Sequence, residues 1–279
     1  MKTNKYLYRV SLMMGFAALF TLSSCGDDDD STEVYKNTKP MRVSKVTESR
    51  QNSSDTQTYN FIYDSQGRIV SHGGSIDFKY SGDGNSVTRV NSKSETSHTY
   101  DLKNGNIIRE EEKTREVNIT LDFEYDSDGY LSAKTRKIIV YVGSGDIRQD
   151  FYIYTWENGN LTKCTYFEGG TLLSTVRISY SNIPWPQNWF PNLMIYADTY
   201  LADLFSYPGK LGKTPKYLPS KFESFDESGI HDEIHDLYTC TLDYTIKDGL
   251  LTKVTLTPVG WTYPNPRYFD IEWEEIPAK

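Results

Sequence analysis

His231-Asp232-Glu233-Ile234-His235-Asp236 is the densest set of ligand-type side chains in the chain. Two histidines four residues apart share one face of a helix, the spacing that holds zinc in metalloproteases. That chemistry also needs Glu directly after the first His as base. Asp232 stands there instead, and no third ligand follows downstream. His231 and His235 are therefore candidate ligands within what reads as an acidic surface loop. Asp126-Ser127-Asp128-Gly129 and Asp83-Gly84-Asn85-Ser86 contain fragments of calcium-loop spacing but lack the closing Glu, so turn chemistry accounts for both. Cys164 and Cys240 either bridge or sit as two buried thiols; Cys240 shares the apolar phase of Leu242 and Tyr244. No nucleophile elbow, phosphate loop or dinucleotide fingerprint is present, and nothing singles out a carboxylate pair for glycoside hydrolysis. The expectation is no catalytic residue and no cofactor.

Cys25 carries a different chemistry. Lys2, Lys5 and Arg9 form a positive n-region, and Val10 to Leu22 is an apolar run too short to span a bilayer comfortably. Leu22-Ser23-Ser24-Cys25 then resembles a bacterial lipobox, in which small residues fit the peptidase cleft and the thiolate takes a diacylglycerol. Residues 1–24 read as a lipoprotein signal peptide. Two or three acyl chains on Cys25 would anchor the mature chain stably. Gly26-Asp27-Asp28-Asp29-Asp30 follows, and four adjacent carboxylates repel one another and stay solvated. Residues 25–40 read as a lipidated tether, and its acidic run resembles the surface-export signal of Bacteroides-type lipoproteins. The expected location is the outer membrane, lipid-anchored and facing the exterior.

Aromatic side chains in stiff loops supply the remaining candidates. Trp185, Trp189 and Phe190 lie among Pro184, Pro186 and Pro191; Trp261 and Tyr263 lie beside Pro258, Pro264 and Pro266. Rigid loops that present ring faces stack on sugars or supply hot spots for protein contact. The same rings could equally pin loops onto a core. The chain has 279 residues and a net charge of -8, which argues against nucleic acid as a partner. The partners expected are the membrane, through the lipid anchor only, and a glycan or protein ligand.

The elements that must position these groups are strands. An aromatic ends an alternating run, a polar turn with Gly follows, and a β-prone run returns: Tyr63 to Ile69, Tyr80 to Gly84, Tyr100 to Ile107, Tyr125 to Leu131, Trp156 to Leu161 and Tyr244 to Leu250. Asn-Gly and Asp-Gly supply the positive φ that matches strand twist. In Val117–Tyr125 every odd position is apolar and every even one polar; Cys240-Leu242-Tyr244-Ile246 and Phe269-Ile271-Trp273 alternate likewise. Arg109-Glu110-Glu111-Glu112-Lys113 reads as wet face. Period two over about 14 or 15 strands predicts an antiparallel meander with one core face. So many strands curl into a soluble barrel or a strongly curved sheet, since a spanning barrel would need apolar residues on its outer face. Residues 41–279 read as one all-β domain. Near residues 192–206 apolar spacing turns helical, which predicts a cap over one open end; a Lys-rich loop over 209–221 follows, and strands resume at Leu237.

Taken with Cys25, the aromatic-Asp-x-x-Gly-x-[Ile/Leu] turns and Lys216-Tyr217-Leu218-Pro219-Ser220-Lys221 make the chain resemble a lipoprotein family of Bacteroides-type bacteria, a domain of unknown function with a porin-like β-barrel fold. The resemblance covers residues from about 40 to 279 and implies the barrel, with no activity or site residues to carry over. The Tyr-Asp-x-x-Gly-Arg-Ile turn also resembles the repeats of large cell-surface shell proteins, which are longer and stricter in spacing.

Overall fold

The computed structural model describes residues 39–91, 97–114, 116–141, 145–186, 211–227, 239–259 and 266–277. All fall within one compact unit, Ser31–Lys279. The predicted helix near 192–206 lies outside them. Sixteen strands run in chain order: β1 Met41–Arg50, β2 Thr56–Tyr63, β3 Ile69–His72, β4 Ile76–Tyr80, β5 Ser86–Asn91, β6 Ser97–Lys103, β7 Asn106–Lys113 and β8 Val117–Tyr125. They continue with β9 Leu131–Val140, β10 Ile147–Glu157, β11 Asn160–Glu168, β12 Thr171–Pro184, β13 Tyr217–Asp226, β14 Cys240–Lys247, β15 Leu250–Pro258 and β16 Arg267–Glu275. Each strand pairs antiparallel with its sequence neighbours, and β1 pairs with β16, so the sheet is a closed barrel. This settles the choice between a barrel and an open curved sheet.

Antiparallel order puts every even-to-odd connection at one end, here called the turn rim, and every odd-to-even connection at the opposite rim. The repeated glycine turns all fall on the turn rim. Asn104-Gly105, Asn158-Gly159 and Asp248-Gly249 have both central φ angles positive, between 52° and 78°, which is the two-residue turn that follows strand twist. In the longer turns a side chain adds to the backbone bonds. Asp64 Oδ1 accepts from the amides of Gln66 and Arg68, and Asp126 Oδ1 from those of Asp128 and Tyr130. These bonds use the carboxylate of Asp126 for the turn itself, as turn chemistry requires.

Period two sets the packing. Phe61, Phe78, Tyr100, Ile107, Phe123, Leu161, Leu218, Phe222, Leu251 and Phe269 belong to one buried cluster drawn from strands all round the barrel. A closed sheet has a single interior, so the apolar phase points inward. A membrane barrel of this strand number encloses water. Here Val43, Val87, Tyr100, Ile107, Leu161, Leu218 and Leu251 have no exposed surface, so side chains fill the lumen. The outer wall carries ion pairs instead, among them Lys45–Glu272 at 2.7 Å and Arg109–Asp122 at 3.1 Å.

An aromatic at the turn-rim end of seven even strands donates to a backbone carbonyl of the preceding odd strand. Tyr63 donates to Val43, Tyr80 to Ile69, Tyr125 to Ile107, Trp156 to Leu131, Tyr180 to Leu161, Tyr244 to Pro219 and Trp273 to Leu251, over 2.5–3.0 Å. Each ring packs against the core while its polar tip reaches the backbone. β6 departs from the pattern: Leu102, which has no donor, is its inward residue nearest the turn.

Residues 211–216 cross this rim. Lys213 N donates to Gly129 O and Lys216 N to Gly159 O, both at 2.9 Å, and Leu211 and Pro215 are buried. A Cβ on Gly212 would lie 2.7 Å from Gly129 O, so only glycine fits this crossing. The segment covers part of this rim.

Two sequence expectations need correction. Residues 217–221 are strand, not loop. Pro219 argues against a central strand because it cannot donate to a ladder. The sheet accommodates it where the β12 register is interrupted on one side, opposite Tyr180, and where β13 and β14 share only Lys221↔Thr241 and Phe222↔Cys240 on the other. Glu110 is not on the wet face. It is 7% exposed and points inward, because the β7 register slips between its pairings with Asp101 and Leu102.

Replacing Tyr125 by Phe keeps the ring and removes only the donor to Ile107. We expect a loss of about 1 kcal/mol in urea unfolding, with an unchanged far-ultraviolet spectrum.

Candidate functional site

Along several strands the inward phase that is apolar near the turn rim becomes charged toward the opposite rim. On β10 it reads Trp156, Tyr154, Tyr152, Asp150; on β16 it reads Trp273, Ile271, Phe269, Arg267. Charges in a buried phase must find partners, and these do. Asp150 has no exposed surface. It accepts from Arg136 Nε at 2.8 Å and from Arg148 Nε at 3.2 Å. Arg148 Nη2 also meets Glu168 at 2.9 Å and donates to Tyr166 at 3.3 Å. Lys134, nearly buried, holds its ammonium 3.9 Å from the centre of the Tyr152 ring, which stacks on Tyr166.

Two further clusters line the same half. Arg267 places Nε and Nη2 at 2.9 and 2.6 Å from Glu48 Oε1, both residues buried. His98 Nδ1 lies 2.9 Å from Glu110 Oε1, beside the fully buried Tyr100. Burial pushes the Tyr100 hydroxyl well above its ordinary range, Glu110 adds to the shift, and Arg89 opposes it. Burial works against the charge of Arg136, but Tyr152 and Asp150 outweigh it and hold the guanidinium protonated. Each buried carboxylate among the described residues therefore already has a cation or imidazole against it. What they provide is a fixed polar lining.

Trp185 alone of the candidate contact residues lies within the described chain. It stands at the turn rim, half-buried against the core, and its amide donates to Lys216 O at 2.9 Å. Trp189, Phe190, Trp261, Tyr263, His231, His235 and Cys25 lie outside the described residues. The strand ends that bracket them separate the candidates. The connection bearing Trp189 and Phe190 joins β12 to β13 at the turn rim; those bearing His231 and His235, and Trp261 and Tyr263, leave from the opposite rim. Among the described residues no group of three or more His, Cys, Asp or Glu is placed to hold a metal ion.

A family model described as "Domain of unknown function (DUF4595) with porin-like fold" matches residues 67–233. The chain belongs to this family. Among solved structures it is similar to a porin-like protein from Bacteroides vulgatus ATCC 8482, at 17% identity and a TM-score of 0.62, covering 85% of this chain and 100% of that one. It is also similar to a porin-like protein from Bacteroides uniformis ATCC 8492, at 19% identity and a TM-score of 0.58, covering 83% of this chain and 98% of that one. At these identities the likeness establishes the porin-like fold. No curated protein matches. The lining clusters use residues that sequence reasoning passed over. The signal available was a charge in an otherwise apolar phase: Asp150 two before Tyr152, Arg267 two before Phe269, Glu48 two after Val46.

Two expectations follow. Asp150→Asn leaves Arg136 and Arg148 beside a neutral amide. Both guanidinium groups keep some solvent, so we expect the lower end of the buried-pair range, about 3 kcal/mol, as a fall in the urea midpoint. Cys164 and Cys240 are free and buried, and burial raises both thiols from 9.0 to about 12. The protonated thiols favour the folded state. That contribution is complete below about pH 9 and is lost as pH rises from 9 toward 12. Peptide mapping after maleimide treatment at pH 8 should find both unlabelled in the native chain and labelled in guanidinium.

Proposed function

We propose that this chain is a lipid-anchored outer-membrane protein, exposed at the cell surface, that binds an extracellular glycan or protein and has no chemistry of its own. The observation that carries the reading is the filled lumen. Tyr100, Ile107, Leu161 and Leu251 occupy the space through which a porin conducts, so transport through the barrel is not its work. The paired states of Asp150, Glu48 and Glu110 weigh against the rival reading of an extracellular glycoside hydrolase, which needs an acid and a nucleophile or base in a cleft.

The placement of the chain ends supports the same reading. β1 starts at the turn rim, so a tether from Cys25 joins the barrel there. The 211–216 strap covers part of that rim. The opposite rim carries the charged lining and the connections that bear Trp261 and Tyr263, and it is the end we assign to the ligand. Aromatic rings suit sugar faces or a protein hot spot.

The test uses intact cells. Alkynyl-palmitate should label the protein but not Cys25→Ser, and external protease should remove the anchored form. A glycan array and a protein pull-down with the released chain should give a ligand that Trp261→Ala with Tyr263→Ala loses at least tenfold. A protein that is unlabelled and protected from protease overturns the anchored surface reading. No ligand in either screen, with an envelope defect on deletion, makes it a structural component instead.

A further inference from the structure

The outer wall is not uniform. Of the six large hydrophobic side chains exposed in the described chain, four lie together: Ile147, Phe151 and Ile153 on β10, and Tyr141 just past β9. They range from 38% to 64% exposed. The three on β10 occupy its odd positions, opposite in phase to the buried Asp150, Tyr152 and Tyr154, so they form a straight outward stripe. Their neighbours across the ladder do not cover them. Ile153 faces Ala133 and Thr165, and Phe151 faces Thr135 and Phe167.

On the two flanking strands the outward charges are cations, while Glu157 ends the same phase of β10 and Asp122 and Glu124 face outward one strand further, on β8. Lys137 stands opposite Gln149, and Lys163 stands opposite Thr155 and Arg177. Neither lysine has a carboxylate within ion-pair distance among the described residues. Several cations elsewhere on the wall are paired, among them Lys45 with Glu272, Arg109 with Asp122 and Lys253 with Asp270. An apolar stripe flanked by unpaired lysines, on a chain of net charge -8, asks for a partner that is both oily and acidic. A second copy seated by a two-fold would bring Lys163 and Arg177 of each wall toward the same cations of the other.

We infer that the β9–β11 wall rests on the interface of an anionic membrane, with Ile147, Phe151 and Ile153 against the acyl boundary and Lys137 and Lys163 at headgroup phosphates. Apolar burial and electrostatic attraction add in such contacts, as they do for interfacial helices. The inference rests on the lipid anchor proposed above. Fifteen residues lie between Cys25 and Met41, an extended reach of about 50 Å, so the tether does not prevent this wall from turning to the bilayer.

The experiment uses the full lipidated chain in vesicles of phosphatidylglycerol and phosphatidylcholine. Bimane is attached at Ile147→Cys or Ile153→Cys on this wall, or at Lys45→Cys on β1. Brominated acyl chains should quench the two β10 probes and leave the β1 probe bright. The effect should fall at least tenfold with Lys137→Glu plus Lys163→Glu, or in pure phosphatidylcholine. All these positions face outward, and melting curves confirm that the variants are folded. Equal emission from the three probes overturns the inference. So does β10 quenching that follows protein density rather than bromine, which would mark contact between copies, or brightness that changes only on adding an acidic protein. The mass of the N-terminal peptide is read on the same sample. A peptide without acyl groups overturns the anchor reading; quenching on an acylated sample tests the wall alone.

Discussion

All but one of the odd–even strand pairs in this barrel are pinned at the turn rim by a bond between two unlike parts of the chain, an aromatic tip and a backbone carbonyl. Sixteen short strands give many ladder bonds, but those fix only neighbour to neighbour. The inward tyrosines and tryptophans of the even strands add a second tie across seven of the eight odd–even pairs, and their rings pack against the core near the turn rim. Membrane barrels carry aromatic girdles on the outside, where rings meet headgroups. Here the girdle is turned inward. The same amphipathic property, an apolar body with a polar tip, serves a dry interior that has backbone acceptors at its edge.

Leu161, Leu218 and Leu251 are fully buried in the lumen beside the turn rim. The charges toward the other rim are pinned to one another: Asp150 between two arginines, Glu48 under Arg267, Glu110 against His98. Pairing of this kind gives the lining fixed polar partners.

Much of this was legible in the sequence, because period two is a strong signal where one face is dry. The alternation in Val117–Tyr125 and the Asn-Gly and Asp-Gly turns located the hairpins, and the aromatic that ends each run was visible as a repeat. Its hydrogen bond was not, although the choice of Tyr or Trp at the seven bonded positions, with Phe at none of them, pointed to a needed donor. β13 was hidden because Pro219 breaks the local rule for a strand, and tertiary context overrides that rule at an interrupted register. The inward charges were hidden for a related reason. A strand read as alternating oil and water gives no place to a charge in the oily phase, so Arg267 was not joined to Phe269 and Ile271. The partner that makes such a charge tolerable, Glu48, is more than two hundred residues away in sequence.

The β1–β16 seam has a consequence for biogenesis. Lys45 and Val46 meet Glu272 and Ile271, the first strand and the last to be made. Until β16 has emerged, β1 and β15 are bare edges able to zip onto any other extended chain. The molecule cannot acquire its final form piecemeal during synthesis or translocation. It needs a holding partner, or a rapid late collapse, and loss of the last dozen residues would yield sticky open ribbons, not a slightly smaller barrel.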